Sequence, residues 1–207
     1  MLLMLFILYN ERHMNKLTIK IIVGSTRQNR FSEYPARWIF EAVKQRGDFN
    51  AELLDLRDYP LPFFAEPVSP AMAKEPYTHE VVARWRNKIK EADGFIVVTP
   101  EYNRGYPAVL KNALDYVYYE WNKKPVGFVS YGIVGGARSV EQLRLVSIEL
   151  QMAPVRAAIH ISAPWELRDA EGTIKAGAFE PHQKSAEALF DQLAWWAYAL
   201  KTAREAN

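Results

Sequence analysis

Apolar residues along this chain alternate between two rhythms. Short runs rich in Ile, Val, Leu and Phe occur at residues 18–23, 51–56, 94–99, 125–131 and 155–162. Runs such as Gly94-Phe95-Ile96-Val97-Val98 are continuously apolar, as in strands buried on both faces. Between them, residues 32–46, 78–92, 107–121, 137–151 and 181–204 carry apolar side chains at helical spacing. Val82, Trp85 and Ile89 make one such stripe, Val109, Ala113, Tyr116 and Val117 another, and Val140, Leu143, Val146, Ser147 and Leu150 a third. Strands alternating with helices predict an α/β fold, a doubly wound parallel sheet with helices on both faces. Right-handed crossovers leave few topologies for it. The stretch "DLRDYPLPFFAEPVSP" holds too many prolines for a helix or a central strand and reads as a long loop.

No internal repeat or domain linker interrupts this pattern, so residues 14–207 are expected to form a single domain. The preceding residues 1–13 make a doubtful leader. Their apolar part, "MLLMLFIL", is far shorter than the roughly 20 residues of a membrane span. It also lacks the basic start and small-residue cleavage site of a secretory signal. Met14, just before the first strand, is the expected start, with a flexible tail or a membrane-touching anchor as the alternatives.

Composition narrows the function. With 207 residues, 49% of them hydrophobic, the chain can build one sizeable core. A formal charge of +2, with its basic residues scattered, gives no electrostatic footprint for nucleic acid. The absence of cysteine excludes disulfides, thiolate metal sites and thiol catalysis, and agrees with a cytoplasmic location. No metal site is expected.

In a doubly wound sheet, ligands bind beyond the carboxyl ends of the strands, where strand order reverses. Three strand ends carry unusual loops. "VGSTRQNRFSE" offers the hydroxyls of Ser25, Thr26 and Ser32, the cations Arg27 and Arg30, and free amides entering a helix, which together suit a phosphate. It matches neither the dinucleotide fingerprint nor a P-loop. The plain alternative is that Ser32 caps the helix while the arginines are solvated. The second loop, Pro100, Glu101, Tyr102 and Asn103 followed by Gly105, could hold a planar heterocycle with its amides, Asn103 and Tyr102, or be an ordinary turn. Glu101 lacks a partner acid and reads as a structural or intersubunit group rather than a base. In the third, "FVSYGIVGGARS", Ser130, Tyr131 and Gly132 end a strand, and Gly135-Gly136 would let backbone approach a ligand closely.

Taken together, "GSTRQNR", "LLDLRDYPLP", "PEYNRGYPAVLKNALDY" and "EWNKKPVGFVSYGIVGGARSVEQLR" resemble the NADPH-dependent FMN reductase family over residues 18–162. The resemblance implies a flavodoxin-like five-stranded sheet ordered 2-1-3-4-5, with FMN across its carboxyl edge and NADPH or NADH as co-substrate. It places Ser25, Arg27 and Ser32 at the phosphate. It likewise implies that Pro100, Glu101, Tyr102 and Asn103 would lie under the isoalloxazine ring, and that Ser130, Tyr131, Gly132, Gly135 and Gly136 would close on the ring or its neighbour. Because Arg30 precedes Phe31-Ser32, the pattern leaves open whether Arg30 or Ser32 makes the final phosphate contact. Chemistry would reside on the flavin, which accepts hydride from NAD(P)H and passes two electrons to a quinone, flavin, azo or similar small-molecule acceptor. No catalytic side chain is then required, and His79, His160 and His182 read as surface or structural groups.

Two other functions compete with this reading: an FMN-binding electron carrier, and a non-catalytic interaction module. A carrier docking on basic partners would display a strongly acidic surface, which a charge of +2 does not offer. The four aromatics in "ALDYVYYEW" exceed what one inward helix face needs, so a homodimer is expected, with a homotetramer as the larger alternative. The resemblance places its seam at the helices after the third and fourth strands. Trp195-Trp196 reads as core. The segment after Ser162 falls outside the resemblance; lid, partner contact and packing are its open roles.

Overall fold

In a computed structural model that describes residues 16–73 and 79–206, five strands form one sheet. They are β1 (Leu17–Val23), β2 (Phe49–Asp55), β3 (Gly94–Pro100), β4 (Pro125–Gly132) and β5 (Ala153–Ser162). Their order is β2-β1-β3-β4-β5, and every neighbouring pair is parallel. The flavodoxin-like order implied by the resemblance is therefore observed. Residues 1–13, Met14 and the expected helix start at residue 78 lie outside the described residues.

Helices α1 (Glu33–Lys44), α2 (Glu80–Lys90), α3 (Ala108–Asp115), α4 (Ala137–Glu149) and α5 (Gln183–Glu205) cover the sheet. One core joins Ile39 and Val43 of α1 and Leu189 and Leu193 of α5 to Ile21, Val98 and Val129. The other joins Trp85, Leu110 and Leu143 of α2, α3 and α4 to Ile22, Val97 and Phe128. Successive strand residues thus enter opposite cores, which is why the strands read as unbroken apolar runs. The chain leaves β1 for α1 on one face and β3 for α3 on the other. Strand order reverses between those two exits, the place where doubly wound sheets bind their ligands.

The helix expected over residues 107–121 ends at Asp115. Its last carbonyls are taken by indoles: Trp85 Nε1 donates to Ala113 O at 2.8 Å, and Trp121 Nε1 to Leu114 O at 3.2 Å. Tyr116, Val117 and Trp121 then turn into the core, and among the four aromatics of this stretch Tyr119 alone is largely exposed. Most of the aromatic surplus is therefore used within the chain.

Trp195 and Trp196 depart from expectation the other way, at 66% and 40% exposed. The face of α5 that enters the core is set by Leu189, Phe190, Leu193 and Ala197, and the indoles lie outside that phase. After Ser162, Leu167, Ile174 and Phe179 pack on the α1–α5 core, with Phe179 stacked on Trp38 at 5.1 Å, so packing is the role this segment fills. The proline-rich stretch opens with one 3-10 turn at Leu56–Asp58. It is pinned to α3 by Asn112, whose amide accepts from Phe64 N at 2.8 Å and donates to Pro62 O at 2.7 Å.

Candidate functional site

The loop after β1 begins with Gly24, whose amide donates to Val98 O at 2.8 Å. A Cβ there would stand 2.9 Å from Leu110 and 3.0 Å from that same carbonyl, so glycine is required for β1 to exit this close to β3. Beyond it, Thr26 and Arg27 are exposed, whereas Ser25, Arg30 and Ser32 are buried. The Ser25 and Tyr102 hydroxyls meet at 2.9 Å, and the Arg27 guanidinium stands 5.8 Å from the centre of the Tyr102 ring. The loops after β1 and β3 are thereby joined by one hydroxyl pair, 77 positions apart in sequence, and one cation over a ring, 75 apart.

The two residues competing for a final phosphate contact both turn inward. Arg30 pairs with both carboxylate oxygens of Asp55, with Glu33 and with the Ser25 carbonyl. Burial alone would raise the Asp55 carboxyl. Hydrogen bonds from Arg30 and the Arg57 amide, with their charges, outweigh burial and hold it below the usual range. Ser32 makes no side-chain cap to α1; its hydroxyl instead lies 2.5 Å from the Tyr131 hydroxyl, with both side chains buried. Burial pushes the Tyr131 phenol up to about 12, against a smaller opposing effect of the Ser32 hydrogen bond. The cationic and polar groups left facing solvent on this loop are Thr26, Arg27, Gln28 and Asn29. Among the described residues, the amides of Thr26 and Gln28 have no hydrogen-bond acceptor. Free amides, a hydroxyl and an arginine are the donor set of an anion site, and they fit the FMN phosphate.

The loop after β3 is a two-residue hairpin. Tyr102 and Gly105 exchange backbone hydrogen bonds of 2.8 and 3.0 Å, and Asn103 and Arg104 occupy the tip with φ of 48° and 72°. Asn103 is exposed there. Glu101 is not free: Arg138 donates to it from its guanidinium at 2.6 Å and from its amide at 3.2 Å. Ser139 Oγ also donates to Pro100 O at 3.0 Å, so the hairpin is tied to the first turn of α4.

In the third loop, Ser130 is fully buried and donates to Gly135 O at 2.6 Å, while its oxygen lies 2.9 Å from His160 Nδ1. Gly135 and Gly136 have φ of 67° and 74°, and a Cβ on either would collide with His160 or Ser130. The expected close approach is therefore between loop three and the strands β4 and β5. Between Gly132 and those glycines, Ile133 and Val134 are 78% and 41% exposed at the rim of the site. They were missed in the sequence, where an apolar pair inside a glycine loop was the only signal. Arg57 was missed as well; its contacts depend on β2 lying beside β1.

Comparison with known proteins agrees with this geometry. The sequence matches the family model for NADPH-dependent FMN reductases over residues 17–166. It is 45% identical over 148 residues to an NAD(P)H-dependent FMN reductase of Schizosaccharomyces pombe, covering 70% of this chain and 74% of that one. It is 30% identical over 188 residues to a 2-hydroxy-1,4-benzoquinone reductase of Burkholderia, covering 87% and 96%. Among solved structures, a flavoenzyme NAD(P)H:(acceptor) oxidoreductase of Paracoccus denitrificans superposes with a TM-score of 0.68 at 23% identity, over 87% of this chain and 97% of that one. With β1 and the loops after β1, β3 and β4 inside the matched span, the chain belongs to the NADPH-dependent FMN reductase family.

Proposed function

We propose that the chain is an FMN-dependent oxidoreductase that takes reducing equivalents from NADPH or NADH and delivers them to a quinone or similar small acceptor. The observation that carries this reading is the pair of unpartnered amides at Thr26 and Gln28, beside Arg27, joined to the Tyr102 hairpin at the sheet's carboxyl edge. Thr26, Arg27 and the loop amides would hold the phosphate. The hairpin would present Asn103 to the flavin ring, and Ile133 and Val134 would supply apolar surface beside it. When bound, FMN supplies the two-electron chemistry that the side chains lack. The protein's part is to hold that group and to keep its loops fixed. The Glu101–Arg138 pair fixes the hairpin, and Ser130 with His160 fixes the glycine loop. Names carried by relatives, FMN reductase and quinone reductase, support the acceptor class.

The reading includes a cytoplasmic homodimer. Outward-facing Leu145 and Ile148, one turn apart on α4, together with Tyr119, give the chain an apolar face on the α3–α4 side. Among the described residues, no helix is long and apolar enough to cross a membrane.

Reconstitution of the flavin-free protein with FMN or FAD, followed by NADPH and NADH oxidation with a benzoquinone acceptor, tests the function. Turnover restored by FMN and not by FAD is expected. No turnover with either nucleotide, or dependence on FAD, would overturn the reading. Sedimentation of the protein and of a Leu145→Asp, Ile148→Asp variant tests the dimer. A wild-type monomer would refute it.

A further inference from the structure

Three consecutive carbonyls of the loop after β1 are held by two guanidinium groups. Ser25 O accepts from Arg30 Nη1, Arg27 O accepts from Arg57 Nη2 at 2.6 Å, and Thr26 O receives a longer contact from Arg57 Nε at 3.5 Å. Arg57 is itself fixed at both ends. Its Nη1 donates to Glu33 at 2.7 Å, and its amide donates to Asp55 at 2.9 Å. Arg30 binds the same two carboxylates, so Arg30, Asp55, Arg57 and Glu33 close a ring that spans the end of β2, the loop and the first turn of α1.

The described peptide bonds are trans, and in a trans peptide the carbonyl and the following amide point in opposite directions. Carbonyls drawn toward Arg30 and Arg57 therefore turn the amides of Thr26, Arg27 and Gln28 the other way. Two of those three amides, Thr26 and Gln28, are the unpartnered ones. The third has only a 3.4 Å contact to Ser25 Oγ. The guanidinium reaches one carboxylate and two carbonyls from three separate nitrogens of a planar fork, whereas lysine offers a single nitrogen.

We infer that Arg57 is a positioning residue for the anion loop, fixing the direction of its amides and so setting the preference for a phosphorylated flavin over riboflavin. This inference rests on the proposed FMN site. Its signature is selective: loss of Arg57 weakens phosphate binding and leaves recognition of the ring unchanged.

The test titrates flavin-free wild type, Arg57→Ala and Arg57→Lys with FMN and, separately, with riboflavin, following quenching of flavin fluorescence. Wild type is expected to bind FMN more tightly than riboflavin. Arg57→Ala should weaken FMN by about ten- to hundredfold, the scale of charge-assisted contacts, with riboflavin unchanged. Arg57→Lys should retain part of the preference at most, and it serves as the reporter should the alanine variant not fold. An FMN-to-riboflavin ratio unchanged in the variants, or both ligands weakened equally, would overturn the inference while leaving the site reading intact. A wild type that binds the two flavins equally would overturn the site reading itself.

Discussion

The hydroxyls of Ser32 and Tyr131 meet at 2.5 Å in the interior, joining the start of α1 to the end of β4. One residue follows the anion loop and the other ends the strand beneath the third loop, so this bond spans the floor of the site. Tyr131→Phe leaves the Ser32 hydroxyl buried without its partner and should cost about 1–3 kcal/mol in denaturant unfolding. An unchanged midpoint would mean that the bond contributes nothing.

The two arginines of the anion loop should separate cleanly. Arg27→Ala, at an exposed position, should weaken FMN binding about ten- to hundredfold with little change in melting temperature. Arg30→Ala removes the two-pronged partner of Asp55, which keeps only the Arg57 amide, and should destabilise the fold by about 1–3 kcal/mol, the scale for hydrogen bonds to charged groups. Thermal melts and flavin titrations of both variants check this. Equal melting losses would contradict the assignment of Arg27 to the ligand side.

Acidification should loosen the same ring. Asp55 is held below its ordinary carboxylate range, so its contribution is present above that range and is lost as pH falls through the lowered value. The unfolded chain binds the proton first, and stability declines toward acid. Asp55→Asn should show a shallower decline than wild type as pH falls below the ordinary aspartate range near about 4. Parallel acid titrations of unfolding free energy measure the difference.

Lys124 has a linkage of the same sign at higher pH. Its ammonium is buried at the end of α2, donating to Ile89 O at 2.8 Å and Lys90 O at 3.0 Å. Burial, then the nearby Arg204 charge, push it down to about 7. Between that value and the ordinary lysine range near about 10.4, the unfolded chain binds the extra proton, so stability rises with pH. Lys124→Met should flatten that rise in unfolding free energy measured from neutral to alkaline pH. An identical slope in the variant would refute the assignment.

Much of the fold was legible because the strands are buried on both faces, which leaves a continuous apolar signature in stretches such as residues 94–99. The end of α3 was not legible. It depends on Trp85, from a different helix, taking the Ala113 carbonyl. Trp195 and Trp196 misled because bulk and apolarity suggest burial, whereas helical phase sets them outside the core. At the site, the loop chemistry could be read but the direction of each side chain could not. Arg30 and Ser32 turn inward because Asp55 and Tyr131 wait there, at separations of 25 and 99 residues. The contribution of Arg57 arises only once β2 is registered on β1, with Asp55 opposite Val23.

Anaerobic mixing of the FMN-loaded protein with NADPH tests the central claim most directly. The flavin absorbance should bleach with about one equivalent of nucleotide, as a two-electron carrier requires, and return when a benzoquinone is added. A flavin that stays oxidised with both NADPH and NADH would contradict the oxidoreductase reading and leave an FMN-binding protein in its place.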